Sequence, residues 1–444
     1  MTKSISLDRR AELKSKYAEV FERSLVQRAM PYLIGSSVLA YMVFAFMFFN
    51  VAGALSNAKW DRAGLYMADW VSWQAQPKMR FDDGVVDLQY PRFSPLGENP
   101  NPDWVRPFEG RQGYIVTFGS DRNAVEVEPG LVTVIHNGVR HMVQVTKDAA
   151  LLPTGDATGF EEKNGRVKFS FGFDGNVEIR NTQVRFWRRF WGWENFFFDP
   201  SSPYWGKSAG DVLSAIFVGE QIDPTQSNLS LAFDNFLHNA EWQHLDVFVK
   251  LLQTIVMAFV GTLFAAVLAF PLAFFAARNI TRSKSANWLM KRFFDFLRSV
   301  DMLIWALFFT RSFGPGPIAG IAAIFFTDTG TLGKLYSEAL ENVDDKQREG
   351  VKSLGAAPAE VQRFGVVPQV LPLFASQALY FWESNTRSAT IIGAVGAGGI
   401  GLKLLEAMRT GTDWENVGYM VILILIVVFV FDAISNQLRS RLIG

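Results

Sequence analysis

The run from Pro31 to Leu55 contains no charged residue, and 25 residues rising about 1.5 Å each exceed the roughly 30 Å of bilayer hydrocarbon. This length and composition predict a membrane span and place the chain among mostly helical membrane proteins. Leu251 to Ala277 is a second uncharged run, and Val417 to Phe431 is a third that needs a few flanking residues to cross. The stretch ahead of Pro31 is too long, polar and acidic for a secretory leader, and no small-residue cleavage site follows soon. A retained anchor is therefore expected.

Basic residues beside the spans set the orientation. Lys3, Arg9, Arg10, Lys14, Lys16, Arg23 and Arg28 precede the first run, while few follow it closely. This predicts a cytoplasmic segment at 1–30, a first span at 31–55 and an exterior insert at 56–245. The second run leads into Arg278, Arg282, Lys284, Lys291 and Arg292, again a cytoplasmic signature. The 43 basic and 43 acidic residues balance, which offers nothing to a nucleic acid. The absence of cysteine removes disulfides, thiolate chemistry and cysteine-ligated metals.

Phe294 to Leu335 is ambiguous by hydropathy. Met302 to Thr310 is apolar but would cover only about 14 Å. Full length requires Arg298 and Asp301, whose spacing permits a pair on one helix face. "GPGP", Gly314 to Pro317, breaks that helix, and Ile318 to Thr327 begins another apolar run. Two short crossings joined by a Gly-Pro turn are expected.

The insert reads differently. "GYIVTF", "LVTVIHNGVRHMVQV" and "RVKFSFGFDGNVEIRNTQVRF" alternate apolar and polar residues, with Asn137-Gly138 and Asp174-Gly175 as hairpin turn chemistry. An antiparallel β domain is predicted over about 110–187. "FWRRFWGWENFFF", Phe186 to Phe198, fits a membrane-surface belt, a protein-docking face or plain core packing. His136 and His141 flank one turn with no carboxylate cluster beside them, so no metal site is expected.

Gly396, Gly398 and Gly401 have the G-x-G-x-x-G spacing of a dinucleotide loop. The preceding "FWESNTRSATII" reads as a helix with Glu383 and Arg387 one turn apart, not as a strand, and an apolar span follows. Close helix approach in lipid explains the glycines better. Signatures for a Walker loop, a nucleophile elbow and a zinc-protease helix are absent, and no catalytic residue or cofactor is assigned.

"SEALENVDDKQREGVKSLGAAPAEVQRFGVVPQVLP", Ser337 to Pro372, is charged yet sits between apolar runs, so it must lie in water. Two crossings after a cytoplasmic loop place it in the cytoplasm. Glu349 is followed at six residues by Gly355 and at nineteen by Pro368. This spacing resembles the E-A-A…G…I-x-L-P loop of permease subunits of ATP-binding cassette importers. Gly350 and Val351 replace the two alanines, and Gly365 and Val367 replace the Ile and Leu. With "ESNTRSATIIGAVGAGGIG", "GPGPIAG" and "GTLGKLYSEALENVD", the chain is similar to phosphonate-type permeases over roughly Val247 to Leu442.

The resemblance implies about six transmembrane helices of the type I importer permease kind, five of them within 246–444, and a bacterial inner-membrane location with both termini cytoplasmic. It implies a second copy of the chain, two ATPase subunits that hold ATP and Mg, and a periplasmic substrate-binding protein. On this reading residues 337–368 form the coupling loop, with Glu349, Gly350, Gly355, Ala356, Pro358 and Pro368 meeting the ATPase. Glu383, Ser384, Asn385, Arg387, Ser388, Gly393, Gly396, Gly398, Gly399 and Gly401 form the gate or path. Arg387 is open to two roles, a structural lock with Glu383 or a contact to an anionic phosphonate. The β-rich insert between the first two helices is outside the compact family pattern. Phosphite, phosphate esters and other small anions are alternative cargoes, and a membrane-anchored sensor or adaptor with a ligand-binding β domain is the alternative from another class.

Overall fold

The computed structural model describes residues 16, 25–58, 60–82, 84–91, 94–97, 100–152, 159–411 and 413–443. Most of the basic residues read as setting the N-terminal orientation lie outside these. The chain divides into two units, Met1–Gly64 and Leu65–Gly444. In the first, α1 (Leu25–Phe48) is followed by the short α2 (Val51–Ser56), and α3 (Trp60–Ala68) begins at its end. Its apolar side chains, Leu33, Val38, Leu39 and Phe44 among them, are exposed, as a lipid-facing helix requires.

The second unit opens with an antiparallel sandwich. One sheet runs β10 (Phe160–Lys163), β11 (Arg166–Ser170), β12 (Gly175–Ile179), β13 (Gln183–Trp191), β2 (Lys78–Asp82) and β3 (Val85–Gln89), with β1 (Ser72–Ala75) also on β13. The other is a meander of β4 (Val105–Pro107), β5 (Tyr114–Phe118), β6 (Ser120–Glu128), β7 (Leu131–His136), β8 (Val139–Val145) and β9 (Ala150–Leu151). Val116, Phe118, Val125, Val132 and Val143 of one sheet close a core with Met79, Val167, Val177, Ile179 and Phe186 of the other. Asn137 and Gly138 both take positive φ, 53° and 85°, as the two-residue turn between β7 and β8 demands.

The sheets extend beyond the predicted 110–187. Ser72–Gln89 joins because β13, besides pairing with β12, takes two strands from it: Gln183–Arg185 pairs with β2, and Arg188–Trp191 with β1. Pairing across some hundred residues leaves no local pattern, and strands of four or five residues alternate too briefly to stand out.

The aromatic run after β13 is a junction. Trp193 and Phe196 pack with Trp242 and Tyr419, and the buried His244 joins Tyr419 Oη at 2.9 Å and the Phe196 carbonyl at 2.8 Å. Trp193 Nε1 donates to the Trp70 carbonyl, and Trp242 Nε1 to that of Glu194, each at 2.9 Å. Much of the run therefore packs inside the chain, not in the core of the β domain but between the sandwich and the helices, while Trp191 and Phe197 stay exposed. In the same junction Asn195 Nδ2 donates to both oxygens of Glu241 at 3.2 Å. Burial, with Asp199, Glu194 and Asp413 nearby, pushes that carboxyl up to about 7. The folded state then holds this proton more tightly than the unfolded chain, so its contribution is complete below about pH 4.5 and is lost as pH rises through 7. Glu241→Gln is expected to flatten the fall in thermal midpoint between pH 4.5 and 7 and to raise the midpoint at pH 8. An unchanged slope across that window would refute the assignment.

Two short helices, α4 (Ala209–Phe217) and α5 (Asn228–Leu237), lead to the helical part: α6 (His244–Ala276), α7 (Lys284–Ser299), α8 (Met302–Phe313), α9 (Pro317–Glu341), α10 (Asp345–Ser353), α11 (Pro358–Glu360), α12 (Val367–Ile392), α13 (Gly399–Thr410) and α14 (Trp414–Ile443). Among the described residues four helices are long and apolar enough to cross a membrane: Ala29–Phe48, His244–Ala276, Pro358–Ala397 and Trp414–Leu442. The shorter apolar α8 and the 25-residue α9 meet at a break at Gly314–Gly316, where the Gly-Pro turn is expected.

The pair that the spacing of Arg298 and Asp301 permits is not formed. The helix stops between them; Asp301 caps α8 by accepting from Leu303 N at 2.8 Å, and Arg298 turns back to Asp295 at 3.4 Å. The demand of a new helix start for an acceptor at its N-cap outweighs a pair across one turn. The buried stripe of α6, Met257, Ala258, Gly261, Thr262, Ala265 and Ala269, repeats at three and four residues. Small residues let α9 approach: a Cβ on Gly261 would lie 2.7 Å from Ile324 Cγ2.

Candidate functional site

Three groups of expected residues fall in distinct places. The glycines lie where the chain turns from α12 through Gly393–Ala397 into α13. Gly396 and Gly398 take φ of 100° and 83°, which disfavour any residue with a Cβ. A Cβ on Gly393 would lie 2.5 Å from the Gly398 carbonyl oxygen, and one on Gly401 would overlap that of Thr390. A Cβ on Gly398 would meet Pro317 N at 2.9 Å, and Gly316 N donates to the Gly396 carbonyl at 3.0 Å. Thr254 of α6 accepts from Ile400 N at 2.8 Å. Gly393, Gly398, Gly399 and Gly401 are thus buried where α6, α9, α12 and α13 converge. No strand precedes them, so the dinucleotide geometry is absent here.

One to three turns before them lie the charged residues of α12. Glu383 is buried and reaches Arg387 Nη2 at 3.7 Å and, from α14, Arg439 Nη2 at 3.7 Å. An isolated charge at the bilayer centre costs on the order of 3 kcal/mol, so two guanidiniums on one carboxylate are a reason for it to stay. The Arg387 side chain is 59% exposed, whereas Arg439 also stacks over Tyr380 at 5.5 Å. Ser384 and Ser388 are half-buried.

Asn385 is buried and turned into the bundle. Its Nδ2 donates to Asp328 Oδ2 and, at 2.7 Å, to Thr262 Oγ1, and the Thr262 hydroxyl donates to Asp328 at 3.2 Å. This knot joins α6, α9 and α12. Neither Asp328 nor Arg439 was singled out from sequence. The usable signal for Asp328 was a lone carboxylate inside "AAIFFTDTGTLG".

Five of the six coupling candidates are exposed. Glu349 and Gly350 face outward on α10, Leu354 beyond it is 86% exposed, and Gly355 ends the turn at φ 82°. Ala356 is half-buried, while Pro358 and Pro368 are exposed, each in the first turn of its helix. Gly365, a departure from the family spacing, lets α10 lie on the Val361–Val366 turn: a Cβ there would touch the Gln347 carbonyl and Val351 at 3.4 Å.

Behind this surface is a clasp that no local pattern signalled. Arg348 Nη2 donates to the Asn279 carbonyl at 2.9 Å, Asn279 Nδ2 donates to the Leu340 carbonyl at 2.8 Å, and Glu341 accepts from Arg278 N and Lys291 Nζ at 2.9 Å each. The segment is therefore fastened to the connection between α6 and α7 and to the end of α9, which Lys291 in the middle of α7 also holds. A separate cavity of about 210 Å³ presents Glu241, Glu406 and Asp413, with its Lys403 held by Asp246, a lining that repels anions.

Residues 269–443 match the family described as binding-protein-dependent transport system inner membrane component. The chain is 37% identical to the phosphite transport system permease protein PtxC of Stutzerimonas stutzeri over 43% of its own length and 69% of that protein. It is 34% identical to the phosphate-import permease protein PhnE of Mycolicibacterium smegmatis, over 45% of this chain and 37% of the relative. It is 45% identical to a permease protein of Escherichia coli (strain K12) named for a cryptic phosphonate transport system, over 27% of this chain and 98% of the relative. The sandwich precedes the matched region, and the glycine turn and α10 surface fall within it. The chain belongs to the inner membrane components of binding-protein-dependent transport systems.

Proposed function

We propose that the chain is the permease subunit of an ATP-driven importer of a small phosphorus oxyanion such as phosphite, a phosphonate or phosphate. The observation that carries the coupling is the surface from Glu349 to Pro358, largely solvent-exposed, led by Leu354 and clasped from behind to the α6–α7 connection and the end of α9. A groove in a partner ATPase would receive it, and ATP and Mg would bind there, with no catalytic site in this chain. The cargo class rests on the names of the relatives. Two copies would pack about a two-fold axis with two ATPases and a substrate-binding protein outside. Residues 1–30, both termini and the 337–368 segment would then be cytoplasmic, and 56–245 outside. The glycine turn would act as the hinge of the gate, and exposed Arg387 as a positive group on the path.

Uptake tests this. In a bacterium lacking its own phosphorus oxyanion importers, the chain with its ATPase and binding protein should give ATP-dependent accumulation of labelled phosphite, methylphosphonate or phosphate. Absence of uptake for all three, with the complex assembled, would overturn the cargo class. The sensor or adaptor reading keeps one observation in its favour, the firm aromatic junction of the sandwich to α6 and α14. Ligand binding by the sandwich with no ATPase copurifying would favour it.

A further inference from the structure

We infer that the outward face of α7 holds the phosphate headgroup of an anionic lipid. Asn287, Phe294 and Leu297 bury one side of this helix, where a Cβ on Gly330 would lie 2.8 Å from Leu297 Cβ. On the other side Trp288, Leu289, Arg292, Phe293 and Phe296 recur three and four residues apart, and Trp288 is 63% exposed. The face is apolar with a cation in its middle.

That cation belongs to a cluster. Asp295 receives Arg292 Nη1 at 3.2 Å, Arg298 Nε at 3.4 Å and Lys334 Nζ of α9 at 3.1 Å. Three cations around one carboxylate leave two positive charges in excess, and among the described ion pairs no second carboxylate meets these three. The neighbouring Lys291 is balanced by Glu341 at 2.9 Å. Arg292 and Arg298 remain substantially exposed, so their guanidiniums can each still bind a phosphate oxygen.

A free oxyanion would satisfy the cations and leave Trp288, Leu289, Phe293 and Phe296 bare. A lipid satisfies both, with its phosphate on the cluster and its acyl chains along the aromatic stripe. The end of the bundle is also suitable, since Lys334 lies two turns before the end of α9 at Glu341, beyond which the chain enters α10. The inference does not depend on which anion is carried.

Full-length chain purified in mild detergent should retain phosphatidylglycerol over phosphatidylcholine when native mass spectrometry follows exposure to equal amounts of both. Each positive charge removed from the cluster should weaken retention roughly fivefold, so Arg292→Gln loses one step and the Arg292→Gln/Arg298→Gln double variant two. Lys284→Gln, on the same helix but outside the cluster, should behave as wild type and reports on folding. Equal retention of the two lipids, or unchanged retention in the double variant, would overturn the inference. Displacement of phosphatidylglycerol by millimolar inorganic phosphate would mark a free-anion site and also overturn it. So would efficient crosslinking between copies through Leu289→Cys, introduced into a chain without cysteine, because protein would then cover the face.

Discussion

Gly401→Ala will lower the stability of the folded chain by about 3 kcal/mol, and Gly401→Val by more. The added Cβ overlaps the Thr390 carbonyl oxygen and lies 3.0 Å from Ala394 N, so the obstacle is backbone on one side and backbone on the other. Nothing there can rotate away, unlike the end of a flexible side chain. Relief requires α13 to move off α12, which would also draw the Ile400 N–H from Thr254. The measurement is the thermal midpoint in detergent together with the amount of folded chain recovered from membranes. Gly350→Ala supplies the contrast: it sits on exposed α10 with nothing within 4 Å of an added methyl, and alanine should leave the midpoint unchanged or raise it slightly. If both alanine variants behave alike, steric enclosure is not the reason for the glycine run.

This contrast also marks what could be read from the residues alone. The runs at Leu251 to Ala277 and Val417 to Phe431, the break at "GPGP" and the turn chemistry at Asn137-Gly138 are local and fall in helices, a break and a turn as read, whereas the run from Pro31 to Leu55 is divided at Asn50, φ 46°, with its helix ending at Phe48. The glycines could be assigned to close backbone approach because the flanking residues are helical in pattern, yet which elements approach could not be read. Thr254, Gly316 and Pro317 come from elsewhere in the chain. The same limit hid Asp328 as the partner of Asn385, and β1 and β2 as neighbours of β13, since each depends on contacts across 50 residues or more. At Arg298 and Asp301 the limit was of another kind. Their spacing was read on one continuous helix, and the cap requirement of α8 had already divided it.

On the proposed docking of the 349–358 surface, Leu354→Asp will separate the chain from a partner ATPase while leaving the chain itself folded. Leu354 is 86% exposed and ends α10, where its backbone N–H donates to the Val351 carbonyl at 3.3 Å; the side chain contributes little inside the chain. Phe364, 63% exposed, leaves a second large apolar group uncovered in the same segment. In a partner groove such anchors typically account for about 2 kcal/mol or more, and a carboxylate buried in their place adds a desolvation cost. Copurification of the ATPase should fall by a factor of about 30 or more, and uptake with it, with the thermal midpoint of the isolated chain unchanged. Arg348→Ala should behave differently, because Arg348 lies behind the surface and holds Asn279. The ATPase should still bind and hydrolyse ATP, while uptake per ATP falls several-fold as the contact to the α6–α7 connection slackens. Full copurification and full uptake by Leu354→Asp would remove the coupling role from the 337–368 segment. Equal losses of binding in the two variants would show that Arg348 belongs to the docking surface and that force does not pass through the clasp.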